Sequence, residues 1–215
     1  KMDNGIHLNW PRLWTTLGEN KKNDEKWGKR YKKEVAEVKQ FFKEAKAYSK
    51  AEFLLEKNLR FEAMKAVFEK EKKVFVHANN VQQITDALYF FDDYEVDLVL
   101  VGGYDAWMIS DLLKDRNVPV ILRRVHSLPM NQDDAIDLPF RMAHVLSTKG
   151  LLVALENSGK MEAMGTRNLP FYAGTAAAYG VEKEEALSMI TLNTAKILGI
   201  ADQVGSIEEG KWATL

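Results

Sequence analysis

The chain has no cysteine, which excludes disulfides, thiolate zinc sites and a cysteine nucleophile. Histidine is scarce too. His7, His77, His126 and His144 are the only four, and no two stand two or four residues apart, so the sequence holds no local metal-binding pair. No apolar run reaches the roughly 18–20 residues that cross a bilayer, and no signal-peptide pattern is present. Gly102-Gly103 lacks the third glycine of a dinucleotide fingerprint. Ser158 lacks the flanking glycines of a nucleophile elbow, because Glu156 occupies one of those places.

An excess of either charge sign is lacking, with a net value of -1, so no global field favours nucleic acid or membrane as a partner. The distribution is uneven. Residues 1–73 carry 19 Lys/Arg against 12 Asp/Glu, whereas residues 74–215 carry 11 against 19. Lys and Glu alternate through the basic part with few aromatics between them, the pattern of a solvated helical face. At 215 residues and 46% hydrophobic, the chain is long enough to bury a sizeable core.

Residues 1–22 read as irregular, with Trp10-Pro11 and Trp14 among polar residues. Residues 23–49 read as a helix, with Val35, Val38, Phe41, Phe42 and Ala45 at helical spacing. A second helix is expected over 51–72 (Phe53, Leu54, Leu59, Ala63, Ala66, Val67), with Lys72-Lys73 in its last turn. The pattern then changes. Val74–Val76, Leu98–Val101, Val118–Leu122 and Leu151–Leu155 are short apolar runs, separated by helical stretches at 80–94, 105–116 and 139–149. Residues 168–200 read as two helices, the first starting near Asn168 or Leu169-Pro170, the second running from Glu182 to Leu198 and stopped by Gly199.

Runs apolar on both faces predict parallel strands covered by helices or closed into a barrel. Four parallel strands cannot close a barrel and would expose apolar edges. Either the sheet is open and doubly wound, or the missing strands lie upstream. The chain begins at Lys1 and stops at Trp212-Ala213-Thr214-Leu215 as a strand is starting, so both ends are expected to be cuts through a longer protein. Exposed strand edges would be covered by the rest of that protein or by a second copy.

In parallel α/β folds the active groups gather at the carboxyl ends of the strands. That rule selects His77, Gly102-Gly103-Tyr104, Arg124 with His126, and Glu156-Asn157-Ser158. His77 is a metal ligand or a hydrogen-bonded pocket histidine. Gly102-Gly103 either lets a ligand approach the backbone or makes a tight strand-to-helix turn. Asp105 and Asp133-Asp134 are read as helix caps. His144 is placed inside a helix, and His7 receives no reading.

Three segments resemble the amidohydrolase superfamily, and within it the imidazolonepropionase-like and Xaa-Pro dipeptidase-like metal-dependent hydrolases. Val74-Phe75-Val76-His77-Ala78 resembles the fifth strand, which ends in a metal-binding histidine. Ala186 to Gly199 (ALSMITLNTAKILG) resembles the family's late helix. Val204 to Lys211 (VGSIEEGK) resembles the return into its small β-sandwich domain. The resemblance implies an α/β fold, a partial (β/α)8 TIM-type barrel of about strands five to eight preceded by a helical segment. Residues 1–73 would be part of the connection from the missing half, 74–203 the barrel's C-terminal half, and 204–215 the truncated start of the β-sandwich.

Such barrels hold one or two divalent metals, usually zinc. Their ligands are a His-x-His pair on strand one, often a Lys or Glu on strand four, and a His on each of strands five and six, with an Asp on strand eight as base. Carried over, the resemblance matches His77 as the metal ligand. It places Gly102 where the strand-six histidine stands, and Ser158, or Asn157 with a one-residue shift, where the aspartate stands. It implies hydrolysis of non-peptide C–N bonds or dipeptides with a depleted metal site, or else an inactive barrel that binds a ligand or partner. Tyr104, His126, Ser158 and Arg167 are the residues expected to hold a small-molecule substrate. Zinc is expected only with ligands from upstream, and none on this chain alone. By analogy the branch implies export.

Overall fold

The computed structural model describes residues 4–12, 24–51, 53, 56–158 and 162–213. The readings made for Trp14, Leu54 and the terminal Thr214-Leu215 lie outside them. Contacts divide the chain into two compact units, Lys1–His77 with Gln82–Leu98, and Ala78–Val81 with Val99–Leu215.

The first unit corrects the reading of residues 1–22. Gly5–Asn9 form strand β1, paired parallel with β2, Lys73–Ala78, in the register His7↔Phe75 and Asn9↔His77. Within GIHLN, Ile6 and Leu8 alternate with His7 and Asn9, a period of two too short to stand out beside Trp10-Pro11. Helix α1 spans Asp24–Ser49, close to the expected 23–49. Helix α2 is shorter than expected, Leu59–Phe68, because Asn58 starts it: its side-chain oxygen accepts the Arg60 amide at 3.0 Å.

Phe42 of α1 is the centre of this unit's core. Its ring, 2% exposed, lies 5.1 to 6.5 Å from those of Phe68, Phe90, Phe91 and Tyr94, mostly edge-on. Phe90 and Phe91 end helix α3, Val81–Phe91. A buried polar chain completes the packing. Trp10 Nε1 donates to the Tyr31 hydroxyl at 3.0 Å, and that hydroxyl donates to Asp86 at 2.5 Å. Burial, then Asp86, holds the Tyr31 hydroxyl well above its usual range. On α1 the charges pair along the helix, as Arg30 with Glu34 at 2.7 Å and Lys33 with Glu37 at 3.8 Å, at sites worth a few tenths of a kcal/mol each.

The second unit contains β3 (Leu98–Gly102), β4 (Val120–Leu122) and β5 (Val153–Leu155), with β3–β4 and β4–β5 both parallel. β4 and β5 lie inside the apolar runs read from the sequence, β3 runs one residue past its own to Gly102, and the strand residues are almost all buried. Between and after them come α4 (Ser110–Asp115), α5 (Leu138–Thr148), α6 (Glu162–Gly165), α7 (Leu169–Ala178), α8 (Lys183–Ser188) and α9 (Leu192–Leu198). The expected single helix 182–198 is therefore two. It breaks at Met189–Thr191, where the Met189 carbonyl accepts the Leu155 amide at 3.1 Å. Glu182 caps α8 through its carboxylate, and Gly199 ends α9 in the left-handed conformation at φ 75°.

Asp105 does not cap the turn that it precedes. Its carboxylate accepts the Val81 amide at 3.0 Å, one of the helix-start donors that a helix cannot satisfy itself. The side chain is 8% exposed, and burial raises its pKa, with Asp134 adding to the rise and the Val81 amide opposing it. A carboxyl whose folded pKa is raised contributes stability below its unfolded value and loses it as pH rises through the folded value. Asp105→Asn keeps an oxygen for Val81 and removes the buried charge. It is expected to raise the urea midpoint at pH 7 and to flatten the decline in stability as pH rises above the usual carboxylate range.

Candidate functional site

In the first unit, two imidazoles converge. His7 and His77 lie on the same face of the β1–β2 pair, since side chains two residues apart share a face and His7 stands opposite Phe75. The His7 ring stacks on Phe75 at 4.7 Å and 11°, and its Nδ1 lies 2.9 Å from His77 Nε2. One proton serves both nitrogens, so the pair does not carry two charges while the bond is made. Burial lowers the pKa of His77 and the neighbouring His7 lowers it further, which keeps its imidazole neutral near pH 7. The strand end is fixed by the Trp10 amide, which donates to the His77 carbonyl at 3.1 Å.

In the second unit, Gly102 ends β3 at φ 100° and is buried. A Cβ there would lie 2.7 Å from Asn79 Oδ1 and 3.0 Å from the Ala78 carbonyl. The Gly103 amide donates to that carbonyl at 2.8 Å, and the Asp105 amide to the Asn79 carbonyl at 2.8 Å. What approaches Gly102 is thus the chain's own Ala78–Asn79 segment, and what approaches Gly103 is the side chains of Val120, Leu100 and Ala106, in a tight strand-to-helix turn.

The residues selected for substrate binding fall into separate groups. The Tyr104 hydroxyl donates to Asp134 at 2.5 Å and accepts the Met130 amide at 2.9 Å, so it serves the loop after β4. Burial, then Asp134, pushes its pKa up to about 12. Asp134 also accepts the Asn131 amide at 3.0 Å. His126 and Asn157 meet through α7. His126 Nε2 lies 2.6 Å from Thr175 Oγ1 with its ring edge-on to Tyr172 at 4.7 Å, and the Tyr172 hydroxyl donates to Asn157 Oδ1 at 2.8 Å. Ser158 Oγ accepts the Arg124 amide at 3.3 Å. Arg167 is exposed in the 3-10 turn Thr166–Asn168 and joins neither group. His144, in α5, lies against Gly180, where a Cβ would meet its Nδ1 at 3.0 Å.

Sequence reasoning missed His7, Tyr172, Thr175 and Arg123. The alternation around His7 was the one available signal. Tyr172 and Thr175 act through neighbours that are distant in sequence, Asn157 and His126, and Arg123 is distinguished by its surroundings. Among the described residues no three His, Cys, Asp or Glu side chains cluster to hold a metal ion.

Parallel strands alternating with helices, with histidine and glycine at the strand ends, define an α/β fold of the partial TIM-barrel type. Residues 4–215 match the amidohydrolase family, and the chain belongs to it. It is similar to an amidohydrolase from Thermotoga maritima, at 24% identity and a TM-score of 0.78 over 97% of this chain and 55% of that one. It is also similar to a Xaa-Pro dipeptidase solved with methionine bound in its active site, at 22% identity and a TM-score of 0.52 over 70% and 40%. The chain therefore spans about half the length of the solved structures that it matches. No functionally curated protein matches it in sequence. Metal dependence is general in the family, and the chain has the family's hydrolase fold.

Proposed function

We propose that the protein is a metal-assisted hydrolase of small amides or dipeptides, in which His7 and His77 supply two nitrogens to a divalent ion. The observation that carries this reading is the 2.9 Å approach of His7 Nδ1 to His77 Nε2. Two imidazoles on one tetrahedral zinc, at about 2.0–2.1 Å each, stand about 3.3 Å apart. The pair would need to open by only a few tenths of an ångström, and the neutral state favoured for His77 is the state that binds metal. Further ligands would come from the portion of the barrel outside this chain. The bound ion would supply an activated water and polarise the scissile carbonyl.

The chain's own residues would do the rest. Phe75 holds the His7 ring in place by stacking, and the Trp10 amide holds the strand end that carries His77. By the resemblance, the family's aspartate falls at Ser158, bonded to the Arg124 amide, or with a one-residue shift at Asn157, held by Tyr172. Neither is a base near neutral pH, so the proton would be left to another group. The substrate is a small molecule. The strand edges would be covered by the rest of the barrel or by a second copy.

Gly102 favours a second reading, an inactive barrel that binds a ligand. The resemblance puts a metal-binding histidine at that position, and the backbone there leaves no room for a side chain. One measurement separates the two. Metal-dependent hydrolysis of N-acyl amino acids or dipeptides by the whole protein supports the hydrolase, and its absence in metal-replete protein leaves the binding reading.

A further inference from the structure

Arg123 follows β4 directly, and its backbone is fixed by its amide, which donates to the Gly102 carbonyl at 3.1 Å. Its guanidinium is poorly matched to its surroundings. Nη1 lies 2.8 Å from Met130 Sδ, a thioether and a weak acceptor. Nε is buried and meets no acceptor among the described residues. No carboxylate forms an ion pair with Arg123 among them either, although residues 74–215 carry an excess of acids, 19 against 11 Lys/Arg. Leaving a buried donor unmade costs about 1–3 kcal/mol, and more for a charged group. A guanidinium offers paired N–H groups matched to the two oxygens of a carboxylate.

The surroundings are built to keep this charge in place. Met130 is held through its amide by Tyr104, and Tyr104 is held by Asp134. Arg124, next in the chain, is held through its amide by Ser158. Arg123 as a whole residue is only partly buried.

We propose that Arg123 anchors the carboxylate of a small ligand at the carboxyl end of β4. The ligand class is a small molecule that carries a free carboxylate, such as an N-acyl amino acid, and the assignment uses residues of the second unit alone. Binding fills the donor that the protein leaves unmade, and Met130 moves to admit the second oxygen.

The test is a titration of the whole protein, carrying 13C-methyl methionine, with N-acetylglycine, N-acetylglycinamide and inorganic phosphate. The Met130 methyl reports because its sulfur touches Arg123. N-Acetylglycine is expected to shift it saturably in the millimolar range, and N-acetylglycinamide, which lacks the charge, is not. Arg123→Met is expected to weaken N-acetylglycine by about tenfold or more, and Arg123→Lys, which keeps charge without the fork, by less. If Arg123→Met fails to fold by circular dichroism, Arg123→Lys carries the comparison. No saturable shift in the unsubstituted protein, equal binding of the neutral amide, phosphate binding as tight as N-acetylglycine, or an unchanged constant in the arginine variants would each overturn the assignment. The readout is binding and is expected to persist in His77→Ala. Failure of the hydrolase reading therefore leaves the anchor standing, and failure of the anchor leaves the metal centre standing.

Discussion

His77→Ala is expected to remove the metal from the whole protein and to abolish hydrolysis, while leaving the fold intact. His77 sits one residue from the end of β2, and its ring nitrogen is the group that meets His7. Under the proposed metal role of His77, its removal is expected to exceed the 10–100-fold losses that follow from changing residues behind the ligands. The residue is half-buried and its ring lies tilted against that of His7 at 5.2 Å, so truncation costs modest packing. The check is metal content per chain together with turnover of an N-acyl amino acid and dipeptide panel, with thermal unfolding run alongside. His7→Ala is expected to act in the same direction. Full metal occupancy and undiminished turnover in both variants would remove the two histidines from the centre.

The strands after residue 73 were legible in the sequence because parallel strands covered on both faces must be apolar throughout. β2 to β5 lie on the four runs read as strands. β1 was not legible, because its face bearing His7 and Asn9 is polar and only five residues long. Helix ends were readable where a side chain makes them, as at Glu182, and where glycine permits them, as at Gly199. The break at Met189–Thr191 carries no glycine or proline; it is imposed by contact with Leu155, which no local pattern records.

The candidate site divides in the same way. His77 could be found because a strand end is a local feature. Its partner His7 is 70 residues away in sequence, and only the register of β1 on β2 brings the two together. Arg123 looked like one basic residue of two. What distinguishes it from Arg124 is the absence of an acceptor at Nε among the described residues, a property of its surroundings. Tyr104 shows the reverse. Its position after a strand end suggested a ligand contact, but Asp134 and Met130 take up its hydroxyl.

Gly102→His, which would put back the residue that the family resemblance places at this strand end, is expected to destabilise the second unit and to add no metal ligand. The position has φ 100°, which a residue with a side chain rarely adopts, at a cost of about 1–3 kcal/mol. Its Cβ would also press on Asn79 Oδ1 at 2.7 Å and on the Ala78 carbonyl at 3.0 Å, and overpacking of this kind costs a further 1–3 kcal/mol or so. Together these reach about 2–6 kcal/mol, a large share of the roughly 5–15 kcal/mol that holds a domain folded. At an m-value near 2 kcal/mol per molar, the urea midpoint would fall by about 1–3 M. Gly102→Ala separates the causes, since it carries the same backbone strain and the same Cβ without the ring. Adding Asn79→Gly to Gly102→Ala removes the nearer clash and is expected to restore part of the loss, but not the part due to φ or to the Ala78 carbonyl. If Gly102→His instead raised metal affinity with an unchanged midpoint, the turn would be more pliant than its geometry implies, and the glycine would mark a lost ligand that one substitution can return.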